Sequence, residues 1–545
     1  MIEGVFYESV KSAAEALGLW PTVVKHRVLS SNEKFADWYY SDLDIKTNLD
    51  WLKMQIDLRT KLTPAPHIKL LINLGALLDI PTGHYVEGRR GEMILVGGLA
   101  PMTGIVGIGN NFKSTLMHFM MLQAMSRMKF SAGKTYDTEV NIHEWHLASI
   151  VRRTEAFHGE DVIQTQRWSI TDKTMYIGDE WYSAHKKELD DKSKRKDIIV
   201  NTPFWNRDRQ GAMTMMIPTF TEMDSFTEFE TSDVVEMQEH DLGDSKGNTI
   251  HMRQGLAKTR ILMEAPRIHG SVYDYLLMTA HLGKETTMQN AGPAGSVPIV
   301  KLKHLKNGDK IKGTTDRFTF VTHNCWHAFN ATPLINQSTK APEYPRHQED
   351  DLLLDTDLNT LQIRNLRSKS GASGMALTLI VSQSEGVLPA LTEFHHIKDN
   401  EKYGIEGSNV SYSLSLVPEV KLGRTTVRAK IDADPKLRRA LNITSEMCQM
   451  SYLWHTLPEG LLCSPKELYD DLKTAGYEWN TLLETRGWWT HEYGEKDELP
   501  FLSTMDLLRM RRGLYHPYWL EADKKTVKPE YQKANPYAMT ELEAA

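Results

Sequence analysis

Cysteine is scarce in this sequence. The 545 residues include only Cys325, Cys448 and Cys463, which are widely spaced and form no C-x-x-C pair. This usage excludes a disulfide framework and a zinc knuckle. The 21 histidines contain no H-E-x-x-H motif, so the sequence predicts no zinc site. A chain without disulfides suits a reducing compartment, and we expect the protein to act in the cytoplasm.

Long apolar segments are also missing. No run reaches the roughly 18 apolar residues that a membrane-spanning helix needs, and residues 1–4 lack the basic and apolar character of a signal peptide. With 41% hydrophobic and 25% charged residues, the composition is that of a soluble globular protein. The net charge of −7 argues against coating DNA by bulk positive charge, but it leaves a local basic footprint open.

The first 45 residues have the pattern of a helix-turn-helix module. Residues 9–17 suit a short helix, Gly18 suits a turn, and residues 21–28 suit a second helix with Pro21 near its start. The second helix carries Lys25 and Arg27, which we expect to contact duplex DNA if the module binds it. A plain helical hairpin that serves packing or oligomerisation is the alternative.

The remaining chain divides by composition. A linker at 46–65 precedes an α/β core at 66–432, and a helical domain rich in Trp, Tyr and Leu follows at 433–525, before a polar tail at 526–545. The core has three predicted insertions, which are a charged segment at 186–197, a flexible loop at 284–300 and a basic hairpin at 301–312. No internal repeat is evident.

A phosphate-binding loop is the strongest motif. The segment Gly107–Thr115 fits the Walker A pattern G-x-x-x-x-G-K-[ST], except that Phe112 replaces the second glycine. In such a loop backbone N–H groups cradle phosphates, Lys113 places its charge on the outer phosphates, and the Ser114 hydroxyl holds Mg²⁺. An apolar run before the loop and an apolar helix at 116–128 support the motif. The residues predicted to bind ATP here are Gly107, Asn110, Asn111, Phe112, Lys113, Ser114 and Thr115.

Carboxylates follow at intervals that suit ATP hydrolysis. Glu139 comes shortly after the Walker helix and is the candidate for activating water. Asp224 ends an apolar segment at 213–224, as expected for a strand whose acid holds Mg²⁺. A third predicted strand, at 318–324, ends in His323 and Asn324. The pair Asp179–Glu180, after a short apolar run, is the alternative for the metal or base role.

Taken together, these motifs resemble those of the RecA family of recombinases, especially its phage members, whose loop also has the form G-x-x-x-x-F-K-S. The resemblance covers about residues 66–432. It implies a RecA-like P-loop ATPase core with a central, mostly parallel sheet, Glu139 as catalytic base, and Asp224–Ser225 as the end of the Walker B strand. It also implies that His323 or Asn324 senses the γ-phosphate, and that a mobile DNA-binding loop begins near Cys325.

The resemblance also suggests partners. Single-stranded DNA would be bound by basic residues after Asn324, and the candidates are Lys340, Arg346, Arg364, Arg367 and Lys369. Lys421 and Arg424, predicted on two strands around Gly423, resemble a basic pair that reaches the ATP of a neighbouring subunit. The alternatives are a solvated loop for the first set and a plain sheet edge for the second.

Three functions fit the sequence. The first is a DNA-dependent ATPase that uses ATP and Mg²⁺ and assembles as a homo-oligomer on single-stranded DNA, in recombination or repair of phage type in the host cytoplasm. The second is a replicative hexameric helicase of the same superfamily, for which residues 1–65 are too short to hold a primase domain. The third is a sequence-specific DNA-binding regulator that the nucleotide switches.

Overall fold

A computed structural model of the chain describes residues 2–38 and 70–531, except for 3–4, 6, 8, 31, 155–156, 158–159, 207–208, 241–246, 285–302, 307–308, 315–316, 348–351, 409, 456 and 493–498, and except for the side chains of 237–240 and 247–252. The chain divides into two compact units, 1–68 and 69–545. The predicted linker lies in the first unit and outside the described residues.

The N-terminal unit contains the two predicted helices. Helix α1, Val10–Leu17, begins at a capping box in which the Ser12 backbone N–H donates to Ser9 Oγ at 3.1 Å. It ends at Gly18, whose φ of 63° is the left-handed conformation that glycine adopts at little cost. Helix α2, Pro21–Val28, has proline at its first position. A small apolar cluster that includes Val24 and Trp38 holds this unit together.

Most of the described helices and strands lie in the second unit. Its helices are α3 Asp79–Thr82, α4 Lys113–Arg127, α5 Glu144–Arg152, α6 Gly178–Lys194, α7 Ser232–His240, α8 Gly247–Ser271, α9 Arg317–Val321, α10 Pro389–Asp399, α11 Val427–Ala433, α12 Pro435–Leu453, α13 Pro465–Thr474, α14 Trp479–Leu483 and α15 Thr504–Arg511. Its strands are β1 His84–Glu87, β2 Met93–Val96, β3 Met102–Gly107, β4 Ala132–Asp137, β5 Trp168–Asp172, β6 Ile199–Trp205, β7 Ala212–Met216, β8 Thr219–Asp224, β9 Asp274–Lys284, β10 Asp309–Ile311, β11 Asn324–Pro333, β12 Leu358–Ser368, β13 Ala376–Ser382, β14 Gly386–Val387, β15 Ile405–Ser408, β16 Ser411–Leu414 and β17 Val417–Leu422.

A ten-stranded sheet forms the centre of this unit. Its order is β14-β13-β12-β11-β3-β9-β8-β4-β5, and β10 pairs with the end of β9. All neighbours from β11 to β5 are parallel, whereas β12, β13 and β14 are added antiparallel. The carboxyl ends of β3, β9, β8 and β4 therefore meet at one edge, which is where α/β proteins bind ligands. The expected α/β class with a mostly parallel sheet is confirmed.

Both faces of the sheet are covered, so the central strand β3 and most of β9 are buried on both sides. Alternate residues of β3 divide between two clusters. Ile105 packs with the apolar face of α4, and Met102 and Val106 pack in a second cluster with residues of α6 and α8. Because strand side chains alternate, one strand contributes to both cores.

The region predicted as a separate helical domain at 433–525 packs within the second unit. Helix α12 shares an apolar cluster with α10, β16 and β17. Hydrogen bonds to residues at the start of the unit hold this region in place. Gln449 Nε2 donates to the Leu77 carbonyl at 3.0 Å, and Trp489 Nε1 donates to the Leu71 carbonyl at 2.9 Å. Contacts of this kind make the boundary near residue 432 a junction between two helices within one compact unit.

Four acids lie buried where this region meets the start of the unit, namely Asp79, Glu393, Glu446 and Asp506. Asn442 Nδ2 donates to one carboxylate oxygen of Glu393 at 3.2 Å and of Glu446 at 3.3 Å. Burial raises the pKa of Glu393 to about 8, although the bond from Asn442 lowers it. Burial likewise raises the pKa of Asp79 and of Asp506 to about 7.

We expect Glu393→Gln to stabilise the protein at pH 8 and to leave it unchanged at pH 5. The folded chain holds a proton on Glu393 that the unfolded chain releases near its ordinary pKa, so stability falls as pH rises from about 5 to about 8. Glutamine keeps the acceptor for Asn442 and does not ionise, which makes the gain at pH 8 about 3 kcal/mol. Urea unfolding at both pH values measures it. Glu419→Gln, on the exposed side of β17, is the matched control, and an equal effect of both changes would contradict the prediction.

Two predicted strands are wrong. Residues 317–321 form helix α9, because Phe318 and Val321 are buried at helical spacing while Phe320 between them is exposed. Beyond Leu422 the chain turns and forms α11 in place of a second strand. There Val427 and Ile431, four residues apart, are both buried, as on one face of a helix.

Two further segments differ from expectation. The predicted strand at 213–224 is two strands, β7 and β8, interrupted at Pro218, which has no N–H to donate to a sheet. The run before Asp179–Glu180 is not a strand, and both acids lie in the first turn of α6. Asp179 there accepts hydrogen bonds from the backbone N–H and the hydroxyl of Ser232.

The predicted insertions are only partly described. Residues 186–194 of the charged segment belong to α6. The flexible loop lies outside the described residues except at 284, and so does the predicted turn Asn307–Gly308 of the hairpin. Within the described residues, no helix is both long and apolar enough to cross a membrane.

Candidate nucleotide-binding site

The predicted phosphate loop connects the central strand β3 to helix α4. Gly107 ends β3, and Lys113 begins α4. Between them, Asn110 and Phe112 adopt positive φ angles of 59° and 51°. No side chain caps the start of α4, so the N–H groups of its first turn are available to an anion. The run Met93–Val96 upstream is β2, which pairs with β1 in a separate sheet.

Close packing explains the first and sixth positions of the loop. A Cβ on Gly107 would lie 2.6 Å from the carbonyl oxygen of Ala328 on β11, so only glycine fits there. Phe112 occupies the left-handed conformation that the usual glycine would adopt without strain. Its ring packs against the apolar cluster under α4, and this burial offsets the backbone cost of about 1–2 kcal/mol.

Lys113 is buried inside this loop. Its Nζ donates to the Ile108 carbonyl at 2.8 Å, so the side chain curls back across the loop. Burial lowers the pKa of Lys113, and the charges of Asp224 and Glu139 oppose that shift. The lysine therefore faces two carboxylates across the space beyond the strand ends.

Asp224 stands at the carboxyl end of β8, opposite Asp137 on the neighbouring β4. Its Oδ1 accepts a hydrogen bond from the Thr279 hydroxyl on β9. The peptide bond from Asp224 to Ser225 is cis, and Thr138 binds on both sides of it: its backbone N–H donates to the Asp224 carbonyl, and its hydroxyl accepts from the Ser225 N–H at 2.7 Å. These contacts fix the orientation of the Asp224 carboxylate.

Glu139 lies on a turn that Asp137 organises. The Asp137 carboxylate accepts hydrogen bonds from four successive backbone N–H groups, residues 139–142, at 2.9–3.0 Å. Glu139 Oε1 lies 2.8 Å from His281 Nε2, and its Oε2 accepts from Asn141 Nδ2 at 3.1 Å. The bond to His281 lowers the pKa of Glu139, so the half-buried carboxylate stays ionised at neutral pH.

Two residues at this edge were missed in the sequence analysis. Thr279 and His281 lie on β9, between the loop strand β3 and the acid strand β8, and His281 is in register with Gly107. The available signal was the apolar run Tyr275–Met278, directly followed by Thr279. Both residues contact the predicted catalytic acids, because the Thr279 hydroxyl donates to Asp224 and His281 Nε2 lies 2.8 Å from Glu139 Oε1.

The structure places His323 and Asn324 elsewhere. Asn324 opens β11, and it is in register with Thr103 at the start of β3. Because β3 and β11 are parallel, both residues lie at the edge of the sheet away from the loop. The sensor prediction for His323 and Asn324 is therefore wrong. The DNA loop predicted from Cys325 is also wrong, since Cys325–Pro333 is strand β11.

The predicted DNA contacts separate into different surroundings. Arg346 lies beside carboxylates, 3.7 Å from Asp357 and 3.6 Å from Glu385. The Arg364 guanidinium lies 4.9 Å from the ring centre of Phe329, and Lys340 is exposed. In the N-terminal unit, Lys25 is exposed, while Arg27 lies over the rings of Phe35 and Trp38.

Arg367 and Lys369 surround an exposed phenylalanine. The Phe320 ring is 57% exposed. It lies 5.5 Å from the Arg317 guanidinium, 5.3 Å from that of Arg367 and 6.0 Å from Lys369 Nζ. We call these four residues the Phe320 patch. The patch stands beside the amino end of β11, at the opposite edge from the phosphate loop.

Lys421 and Arg424 lie near the end of β17. Lys421 is exposed, and its carbonyl accepts a hydrogen bond from Lys430 Nζ. Arg424 Nη1 donates to the Pro342 carbonyl at 2.6 Å.

Comparisons with known proteins yield little. No family model matches the chain, and no curated protein does. A crystal structure of the RadB recombinase matches over 53% of this chain and 92% of its own, with 11% sequence identity and a TM-score of 0.28. A likeness at that level does not establish a family.

Proposed function

We propose that this protein is an ATP hydrolase of the RecA-like recombinase type, which assembles on single-stranded DNA. The supporting observation is the convergence of Lys113, Asp224 and Glu139 at the carboxyl edge of a mostly parallel sheet, beyond the uncapped start of α4. A second support is the resemblance of the Walker A loop, and of the order of the acids along the chain, to the RecA family.

The residues at this edge suit MgATP. Backbone N–H groups of the loop and of the first turn of α4 would bind the phosphates, and Lys113 would leave Ile108 to reach the outer ones. The Ser114 hydroxyl and the Asp224 carboxylate supply the hard oxygen ligands that Mg²⁺ prefers. When bound, Mg²⁺ neutralises charge on the phosphate oxygens. Asp224 keeps Oδ2 for this role while Thr279 holds Oδ1.

Glu139 is the proposed general base. Its lowered pKa keeps it ionised, its bond to His281 holds the carboxylate in place, and the charge of Lys113 acts on it. It would accept a proton from the water that attacks the γ-phosphate. His281 acts as the positioning residue, and Lys421 and Arg424 of a neighbouring subunit would complete the site in an assembled oligomer.

The Phe320 patch is the proposed surface for single-stranded DNA. An exposed ring offers a face for base stacking, and three cations around it offer charge to the phosphates on either side. Base stacking is tolerant of sequence, which suits a protein that binds any single strand. The charges make the binding dependent on salt.

Phe320→Ala is expected to weaken binding of a poly-dT oligonucleotide by about tenfold or more, since stacking contributes about 1–3 kcal/mol per base. Fluorescence anisotropy at two salt concentrations measures it, and DNA stimulation of ATP turnover should fall in parallel. Phe130→Ala is the matched control, because Phe130 is 58% exposed with Lys129 Nζ 5.3 Å from its ring. Equal DNA affinity in the two variants would remove the patch from the proposal.

Electron microscopy with single-stranded DNA and a non-hydrolysable ATP analogue tests the function itself. Continuous helical filaments are expected. Closed rings would contradict the recombinase and favour a replicative helicase. Particles that do not assemble on DNA would contradict both and leave the N-terminal helices as the DNA-binding part of a regulator.

A further inference from the structure

Two histidines and an aspartate converge inside the second unit, far along the strands from the phosphate edge. His185 comes from α6, His269 from α8, and Asp274 is the first residue of β9. All three are buried, and one ligand atom from each lies within 4.8 Å of the others. His269 Nδ1 is 2.7 Å from Asp274 Oδ2, and His185 Nε2 is 3.9 Å from the same oxygen.

The two oxygens of Asp274 have different surroundings. Oδ1 accepts a hydrogen bond from the Thr219 hydroxyl, which in turn accepts from Lys192 Nζ at 2.9 Å. Oδ2 faces only the two imidazoles among the described contacts. The lysine charge therefore acts on one side of the carboxylate, and the nitrogen ligands gather on the other.

Neighbouring groups orient His185 as they orient histidine ligands of metals. His185 Nδ1 is 3.4 Å from Glu188 Oε2, and Lys134 Nζ donates to Glu188 Oε1 at 2.7 Å. A proton on Nδ1, shared with a carboxylate, leaves the lone pair of Nε2 pointing inward. The Thr221 hydroxyl, 3.2 Å from Nε2, adds an oxygen on the same side.

From this geometry we propose a structural site for a divalent transition metal, with Zn²⁺ as the best-suited ion, bound by His185 Nε2, His269 Nδ1 and Asp274 Oδ2. Two imidazoles and one carboxylate are ligands of borderline metals, and Mg²⁺ would prefer oxygen alone. The fourth position falls to a water or to Thr221. His269 and Asp274 are close in sequence, but His185 lies far from both along the chain, so no sequence motif predicts the site.

Such a site would tie α6 and α8 to the amino ends of β8 and β9. The same two strands carry Asp224, at the other end of β8, and Thr279, farther along β9. The metal would therefore stabilise the fold that supports the nucleotide edge without touching nucleotide. This role is independent of the proposed function.

Co²⁺ binding to the purified, tag-free full chain tests the site. We expect one Co²⁺ per chain in the absence of nucleotide, with visible absorption bands of a low-coordinate ion, displaced by Zn²⁺. Chelation should lower the melting temperature by several degrees. His185→Gln should lose at least tenfold in Co²⁺ affinity. His118→Gln is the matched control and should keep full binding, because His118 is a buried histidine 2.9 Å from the buried carboxylate of Glu222, outside this cluster.

Two results would overturn the proposal. One is a folded wild-type protein that takes up no Co²⁺ or Zn²⁺ and whose melting temperature does not change with chelator. The other is equal Co²⁺ affinity in His185→Gln and His118→Gln. Asp274→Asn provides a second variant, and retention of the absorption bands in it would count against the site in the same way.

Discussion

Lys113→Ala is expected to lower ATP turnover by a factor of about 10²–10³. The side chain is the cation that faces Asp224 and Glu139 across the proposed phosphate position. Removing a positioned charge from a site that excludes water costs about 3–4 kcal/mol of transition-state stabilisation. Phosphate release at saturating ATP measures the loss of rate, and calorimetric titration measures the loss of nucleotide affinity.

The fold should survive this change. Lys113 is buried with one hydrogen bond to Ile108, and removing a buried cation relieves a desolvation cost. Lys173→Ala is the matched control, since Lys173 is exposed just beyond the end of β5 at the same edge of the sheet. Undiminished hydrolysis by Lys113→Ala would contradict the assignment of the whole loop.

Glu139→Gln should bind ATP with nearly unchanged affinity and hydrolyse it about 10²–10⁴ times more slowly. Glutamine keeps the shape and can keep the contact with His281, but it cannot accept the proton of the attacking water. Single-turnover kinetics separate the two effects, because binding persists while the chemical step slows. The lowered pKa of Glu139 adds a pH signature, since wild-type activity should persist below the ordinary pKa range of glutamate and fall only when the carboxylate is protonated.

The other acid pair supplies the comparison. Asp179→Asn and Glu180→Gln should leave turnover within about twofold, because Asp179 is engaged by Ser232 at the start of α6. If either change stopped hydrolysis while Glu139→Gln did not, the base would lie in that pair.

The strand, loop and helix around residues 107–113 could be predicted because the information for them is local. Gly107, Phe112 and Lys113 lie within one short segment that connects the end of β3 to the start of α4, and the spacing of these residues alone predicts that arrangement. Asp224 was placed correctly at a strand end for the same reason. The predicted strand was too long, because Pro218 interrupts it, but its predicted last residue, Asp224, is the last residue of β8.

The position of Thr279 and His281 beside the acids could not be predicted in this way. It depends on which strand inserts between β3 and β8, and a run of apolar residues does not specify its neighbours. His323 and Asn324 follow an apolar segment, yet they open a parallel strand and so lie at the wrong edge. His281 became visible only through its register with Gly107. The cluster of His185, His269 and Asp274 could not be predicted for the same reason, since only the fold brings α6 next to α8 and β9.

Strand β11 touches both proposed ligand sites. At one end Cys325 is in register with Arg367 of the Phe320 patch, and three residues later the Ala328 carbonyl accepts a hydrogen bond from Asn111 of the phosphate loop at 3.1 Å. If DNA on the patch shifts this strand, linkage requires the effect to be reciprocal. A tenfold gain in ATP affinity caused by DNA, about 1.4 kcal/mol of coupling, must return as a tenfold gain in DNA affinity caused by ATP. Hydrolysis of ATP would then lower the affinity for DNA, and β11 would determine the strength of coupling between ATP hydrolysis and DNA binding.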